Sequence, residues 1–88
     1  MGFKLVISNK AKKALKKIDH TQIQIIAKWI DKNLVGTENP RQFGKPLSGN
    51  LKDFWRYRVW NYRIVAEIND DTVTVLIIDI DHRRQVYT

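Results

Sequence analysis

The apolar positions along the chain change period partway through. Residues 3–7, FKLVI, are a short β-branched, apolar run with the character of a strand. Ser8 then stands where a helix N-cap belongs, ahead of NKAKKALKKI, in which Ala11, Ala14, Leu15 and Ile18 recur at helical spacing. The opposite face of that helix carries Lys10, Lys12, Lys13, Lys16 and Lys17. DHTQ breaks it. Thr21, with Gln24 three residues on, reads as a capping box that opens a second helix. Ile23, Ile26, Ala27, Ile30 and Leu34 form its apolar stripe, Trp29 flanks it, and Gly36 marks its end. So short a connection predicts that the two helices pack as a hairpin.

Residues 37–54, TENPRQFGKPLSGNLKDF, are punctuated by two prolines and two glycines and read as loop, with one helical turn from Pro40. Beyond them the period becomes two. Strands are expected at 55–59, 62–68 and 73–80, with NDDT as the turn before the last. The order is therefore β-α-α-β-β-β, a single α+β domain over residues 1–88. Its N-terminal strand and two-helix hairpin are expected to pack on an antiparallel β-sheet whose last three strands form a meander.

One stretch of this sheet is unusual. FWRYRVWNYRIV, residues 54–65, alternates as a strand should, yet it contains Arg56, Arg58 and Arg63. With Trp60-Asn61 as a two-residue turn, Arg58 lies opposite Arg63 and Arg56 opposite Val65. Trp55, Tyr57, Val59, Tyr62, Ile64 and Ala66 then share one face and the arginines the other. Like charges set opposite each other are unfavourable, and an anion between them reverses the sign. The cluster reads as a phosphate site on an open sheet face. The competing reading is a solvated surface, and the assignment depends on the register, because a slip of one residue moves every side chain to the other face. The C-terminal IDHRRQVYT adds His82, which suits proton transfer near neutral pH, and Tyr87, which suits base stacking or proton transfer. Arginine stays protonated, so proton handling falls to His82, Tyr87 or a lysine.

Composition narrows the class. At 88 residues, 43% hydrophobic and 28% charged, the chain suits one globular core rather than disorder. Sixteen Lys and Arg against nine Asp and Glu leave a formal net charge of +7, which attracts polyanions. The absence of cysteine excludes disulfides and zinc–thiolate sites and suits a cytoplasmic protein. No apolar run is long enough for a membrane span, and the N-terminus lacks the order of a signal peptide. His20 and His82 have no ligand spacing around them, so neither metal nor cofactor is expected.

GKPLSGNLKDFWRYRVWNYRIVAEI followed by DHRRQVY resembles the toxins of the RelE/ParE superfamily of bacterial type II toxin–antitoxin systems, and the likeness extends over nearly the whole chain. In its RelE branch the resemblance implies a metal-independent endoribonuclease that cuts mRNA in the ribosomal A site, the RNA's own 2′-hydroxyl attacking the adjacent phosphate. Carried over by position, it implies catalytic roles for Arg56, Arg58, Arg63, Arg83 and Tyr87, with His82 a candidate acid or base. RNA contacts are further expected at Lys45, Lys52 and Arg84 and at Lys12, Lys13 and Lys16, the last three on a helix face whose competing reading is a plain solvated surface. The resemblance also implies a cognate antitoxin, in a complex of higher order, with the ribosome and mRNA as the other partners and no membrane. The ParE branch implies instead an inhibitor of DNA gyrase without nuclease chemistry, and an inactivated, repressor-only relative is a third expectation. This chain departs from the pattern at Trp60 and Asp81, where glycines are usual, and at Arg56 and Arg58, where some members carry lysines.

Overall fold

A computed structural model describes residues 2–47 and 54–82. The chain runs through β1 (Lys4–Ile7), α1 (Asn9–Lys16), α2 (His20–Asn33), β2 (Lys45–Pro46), β3 (Phe54–Val59), β4 (Tyr62–Asn69) and β5 (Thr74–His82). The strands form one sheet in the order β1-β5-β4-β3-β2. The three long strands are the expected antiparallel meander. β1 joins β5 in parallel, so the sheet is mixed rather than wholly antiparallel.

Local chemistry accounts for most element ends. The Ser8 hydroxyl accepts from the Ala11 amide at 3.1 Å and so caps α1, while donating to the Ile78 carbonyl at 2.8 Å, which ties the start of the helix to β5. For α2 the expected capping box gives way to Asp19, whose carboxylate accepts from the Thr21 amide; Gln24 turns instead to the His20 ring. Asp19 wins because an N-cap carboxylate meets both the orphan amides and the positive end of the helix dipole. Gly36, two residues past the Leu34 C-cap of α2, turns the chain with φ +73°, a left-handed conformation that costs glycine nothing. The helical turn expected from Pro40 is a run of turns and bends, and that segment then supplies β2, a two-residue edge strand not foreseen.

The core lies between the helices and one face of the sheet. Ile26, Ile30 and Leu34 of the second helical segment meet Tyr57, Val59, Tyr62, Ile64, Ala66, Val75, Ile77 and Ile80. Ala27, expected in the buried stripe, is exposed. Trp29 packs obliquely on Tyr57, with ring centroids 5.5 Å apart, and edge-on to Phe43 at 5.9 Å. Tyr57 is fully buried and donates to the Pro40 carbonyl at 2.6 Å, pinning the long loop to the core. A bidentate pair from Arg41 to Asp70 holds the same loop to the β4–β5 turn, and those hydrogen bonds keep the Asp70 carboxyl below its usual range. Among the described residues no helix is long and apolar enough to cross a membrane.

Candidate nucleic-acid interface

The β3–β4 hairpin has the two-residue turn expected of it. Val59 pairs with Tyr62, Arg58 with Arg63, Tyr57 with Ile64 and Arg56 with Val65. Alternation therefore places the three arginines on the sheet face away from the helices. β2 adds Lys45 directly beside Arg56. The open face thus presents one row of Lys45, Arg56 and Val65 and a second of Arg58, Arg63 and Asp81. Among the described residues the ion pairs are Lys10–Asp79 and Arg41–Asp70, so none of the three arginines is neutralised by a carboxylate within 4.0 Å. The Nε of Arg63 is buried without a hydrogen-bond partner. A buried guanidinium N–H with no acceptor is costly, and a bound oxyanion relieves that cost along with the repulsion from Arg58. A cavity of about 310 Å³ opens beside this row, lined by Trp29, Phe43, Gly44, Lys45, Arg56 and Arg58. Gly44 is required there: its φ is +75°, and a Cβ would meet the Arg56 carbonyl oxygen.

His82 is not brought to the arginines. It is the register partner of Tyr62, and the two rings stand edge to face at 4.9 Å. Tyr62 belongs to the helix-covered face, where its hydroxyl bonds to Gln22, so His82 lies on that side too. The cause is a β-bulge. Val65 pairs with Asp79 but Ala66 with Ile77, leaving Ile78 as the extra residue of β5. Strict alternation from Val75 and Ile77 would have driven Asp79 and Asp81 into the core. The bulge inverts the phase, so Ile80 fills the core and His82 follows it. Asp79 then meets Lys10 at 3.5 Å and caps its own neighbour's amide, and Asp81 stands opposite Arg63 rather than over the histidine.

Lys12, Lys13 and Lys16 are exposed on α1. Lys13, with Lys10 and Lys17, lines a notch of about 620 Å³ against Tyr62 and the end of β5, whereas Lys12 and Lys16 do not. Lys52, Arg83, Arg84 and Tyr87 lie outside the described residues. The turn residue Trp60 is, in the sequence, half of the expected two-residue turn and a departure from the usual glycine. It adopts φ +56° and is 51% exposed, with its ring 6.3 Å from that of Tyr62. A bulky residue is rarely found in that conformation, which was the signal available.

A mixed sheet backed by two helices, with an arginine-rich open face, is the arrangement expected from the resemblance to small basic toxins of bacterial toxin–antitoxin pairs. A family model described as the ParE toxin of the type II toxin–antitoxin system, parDE, matches residues 5–87, and the chain belongs to that family. It is similar to Toxin RelG of Mycobacterium tuberculosis, with 35% identity over 51 residues; the match covers 58% of this chain and 59% of that protein. The fold is similar to that in the RelBE2 toxin–antitoxin complex of M. tuberculosis, with a TM-score of 0.82 and 25% identity over 94% of this chain and 93% of that one. It is also similar to the isolated E. coli RelE toxin, with a TM-score of 0.75 and 24% identity over 92% and 84%. The protein is thus a type II toxin of the RelE/ParE superfamily.

Proposed function

We propose that this toxin is a metal-independent endoribonuclease that cuts mRNA on the ribosome. The observation carrying this reading is the in-register pair of Arg58 and Arg63, with the Arg63 Nε buried and unpartnered. In the proposed reaction a ribose 2′-hydroxyl attacks the adjacent phosphorus. Its proton leaves to a base, the bond to the 5′-oxygen breaks, and that oxygen takes up a proton. The products are a 2′,3′-cyclic phosphate and a 5′-hydroxyl. Arg56, Arg58 and Arg63 stabilise the extra charge on the phosphoryl oxygens, a preorganised electrostatic effect. Arg83 adds to it. With His82 turned to the other side of the sheet, proton transfer falls to Tyr87 or to Lys45, which adjoins Arg56. The ribosome positions the message, so cutting of free RNA is expected to be weak. A cognate antitoxin neutralises the toxin in a higher-order complex, as the structural relatives assembled with antitoxins suggest, and its contact segment should be acidic to meet a +7 surface.

The test is to map RNA 5′-ends in a translation reaction with and without the protein. Ribosome-dependent cuts within codons support the reading; intact mRNA under growth arrest removes it. The alternative is inhibition of DNA gyrase by binding alone. It is favoured by the ParE description of the matching family and by the absence of His82 from the arginine face. Inhibition of supercoiling by purified toxin, without RNA cleavage, would establish it.

A further inference from the structure

The side of the sheet away from the arginines carries a second set of features that the proposed chemistry does not use. β1 ends where Ile7 pairs with Ile77, so among the described residues the last part of β5 has no strand beyond it. α1 stands in that place, and the notch between them is lined by Lys10, Lys13 and Lys17. Lys10 is engaged by Asp79 at 3.5 Å, whereas Lys13 and Lys17 have no carboxylate partner among the described residues. Asp81, also at the notch, is the register partner of Arg63. From this notch an aromatic line crosses the end of the sheet. His82 meets Tyr62 at 4.9 Å, and Tyr62 meets Trp60 at 6.3 Å. Tyr62 is buried, but Trp60 is 51% exposed and held at φ +56°.

An exposed indole in a backbone conformation that disfavours it has no evident stabilising purpose, and strain of this kind concentrates at functional sites. Lys13 and Lys17 line the notch with Tyr62, and the Trp60 ring stands beside Tyr62 at the turn, so Tyr62 links the cations to the exposed ring; single-stranded nucleic acid binds such sets with phosphates on the charges and a base on the ring. We infer that Trp60, Lys13 and Lys17 form a second single-stranded RNA subsite on the helix side of the sheet end. A strand whose phosphate sits between Arg58 and Arg63 would pass over the β3–β4 turn, stack a neighbouring base on Trp60 and run on toward α1. Trp60 is a positioning residue in this arrangement and takes no part in bond breaking. The inference shares with the nuclease reading the choice of RNA as the polyanion and the phosphate position between Arg58 and Arg63, but not the cleavage chemistry.

The experiment is a fluorescence and anisotropy titration of the intact protein with a labelled single-stranded oligouridylate of about a dozen nucleotides. A second oligonucleotide of equal charge carries abasic residues. Trp29 and Trp55 are half-buried, so quenching that disappears in Trp60→Leu reports the turn indole. The expected result is quenching by the oligouridylate, little by the abasic strand, loss of the signal in Trp60→Leu and its recovery in part in binding affinity by Trp60→Phe. Lys13→Gln with Lys17→Gln should flatten the slope of log K against log salt by about 1.4, the value for two phosphate contacts on a single strand. Saturating RNA that leaves Trp60 fluorescence unchanged, or an unaltered salt slope in the lysine variant, overturns the subsite, as does failure of the wild type to bind RNA. Quenching in a protein that cuts no mRNA in translation reactions leaves the subsite standing and removes the nuclease. A nuclease with a silent Trp60 does the reverse.

Discussion

The His82 imidazole stands edge-on to the Tyr62 ring, at 78° and 4.9 Å, on the opposite side of the sheet from Arg63. A group so placed cannot reach a phosphate lying between Arg58 and Arg63 without turning over the end of β5. On the nuclease reading, His82→Gln should retain cleavage in a translation reaction to within roughly tenfold. Arg63→Ala should lose on the order of a hundredfold or more, the usual effect of removing a charge-stabilising donor. Equal losses in the two variants would return His82 to the chemistry and require β5 to rearrange on the ribosome.

The facing arginines predict a conflict between stability and binding. Arg58→Ala removes a like-charge cross-strand pair and should raise unfolding stability by roughly 0.2–1 kcal/mol at low salt. The same change should abolish the stabilisation that inorganic phosphate gives the wild type, because a ligand that binds only the folded state stabilises by mass action. Urea unfolding with and without phosphate checks both signs. A variant that is less stable, or that still responds to phosphate as the wild type does, would show that the pair is an ordinary solvated surface.

The turn at Trp60-Asn61 was legible because both flanking runs alternate strictly, and a two-residue loop leaves only one register that buries Tyr57, Tyr62 and Ile64 together. Ser8 and Gly36 were legible because capping chemistry is local. β2 was not, since two residues, one of them Pro46, carry no period and owe their place to the edge of β3. Nor was the facing of His82. It follows from the bulge at Ile78, which forms because two aspartates near the end of β5 have to stay out of the core, a tertiary requirement that alternation alone does not express. The parallel docking of β1 beside β5 is likewise a long-range choice, made where Val73 and Ile77 offer carbonyls to Lys4 and Ser8.

Tyr57 should make stability depend on alkaline pH. Burial pushes its hydroxyl up to about 12 from an ordinary 10.0, with the Arg41 charge working the other way. The folded state therefore holds its proton over a range in which the unfolded chain has released it. That contribution is fully present below pH 10 and is lost as pH rises through about 12. Its size is about 2–3 kcal/mol for a shift of this extent. Tyr57→Phe should be less stable at neutral pH by about 1–2 kcal/mol, since the Pro40 carbonyl loses its donor, and should fall less steeply between pH 10 and 12. Denaturant midpoints for the two proteins across that range decide it. Parallel pH profiles would mean that Tyr57 reaches solvent when it ionises.

Trp60 should depart from the usual large cost of removing an aromatic residue. At φ +56° a side chain crowds its own backbone, at a cost of about 1–2 kcal/mol that glycine avoids. Against this, glycine gives up the Tyr62 contact and adds freedom to the unfolded chain, together about 1–2 kcal/mol. The covered half of the indole is lost as well, at a cost of roughly a further 1 kcal/mol. Trp60→Gly should therefore melt only slightly below the wild-type temperature, while Trp60→Ala, which keeps the strain and loses the ring contact, should melt below both. If RNA binding falls in the glycine variant while stability nearly holds, the tryptophan is retained for what it touches outside the protein. A glycine variant that melts well below the wild type would instead make Trp60 a structural cap on Tyr62, and the strained turn would need no ligand to explain it.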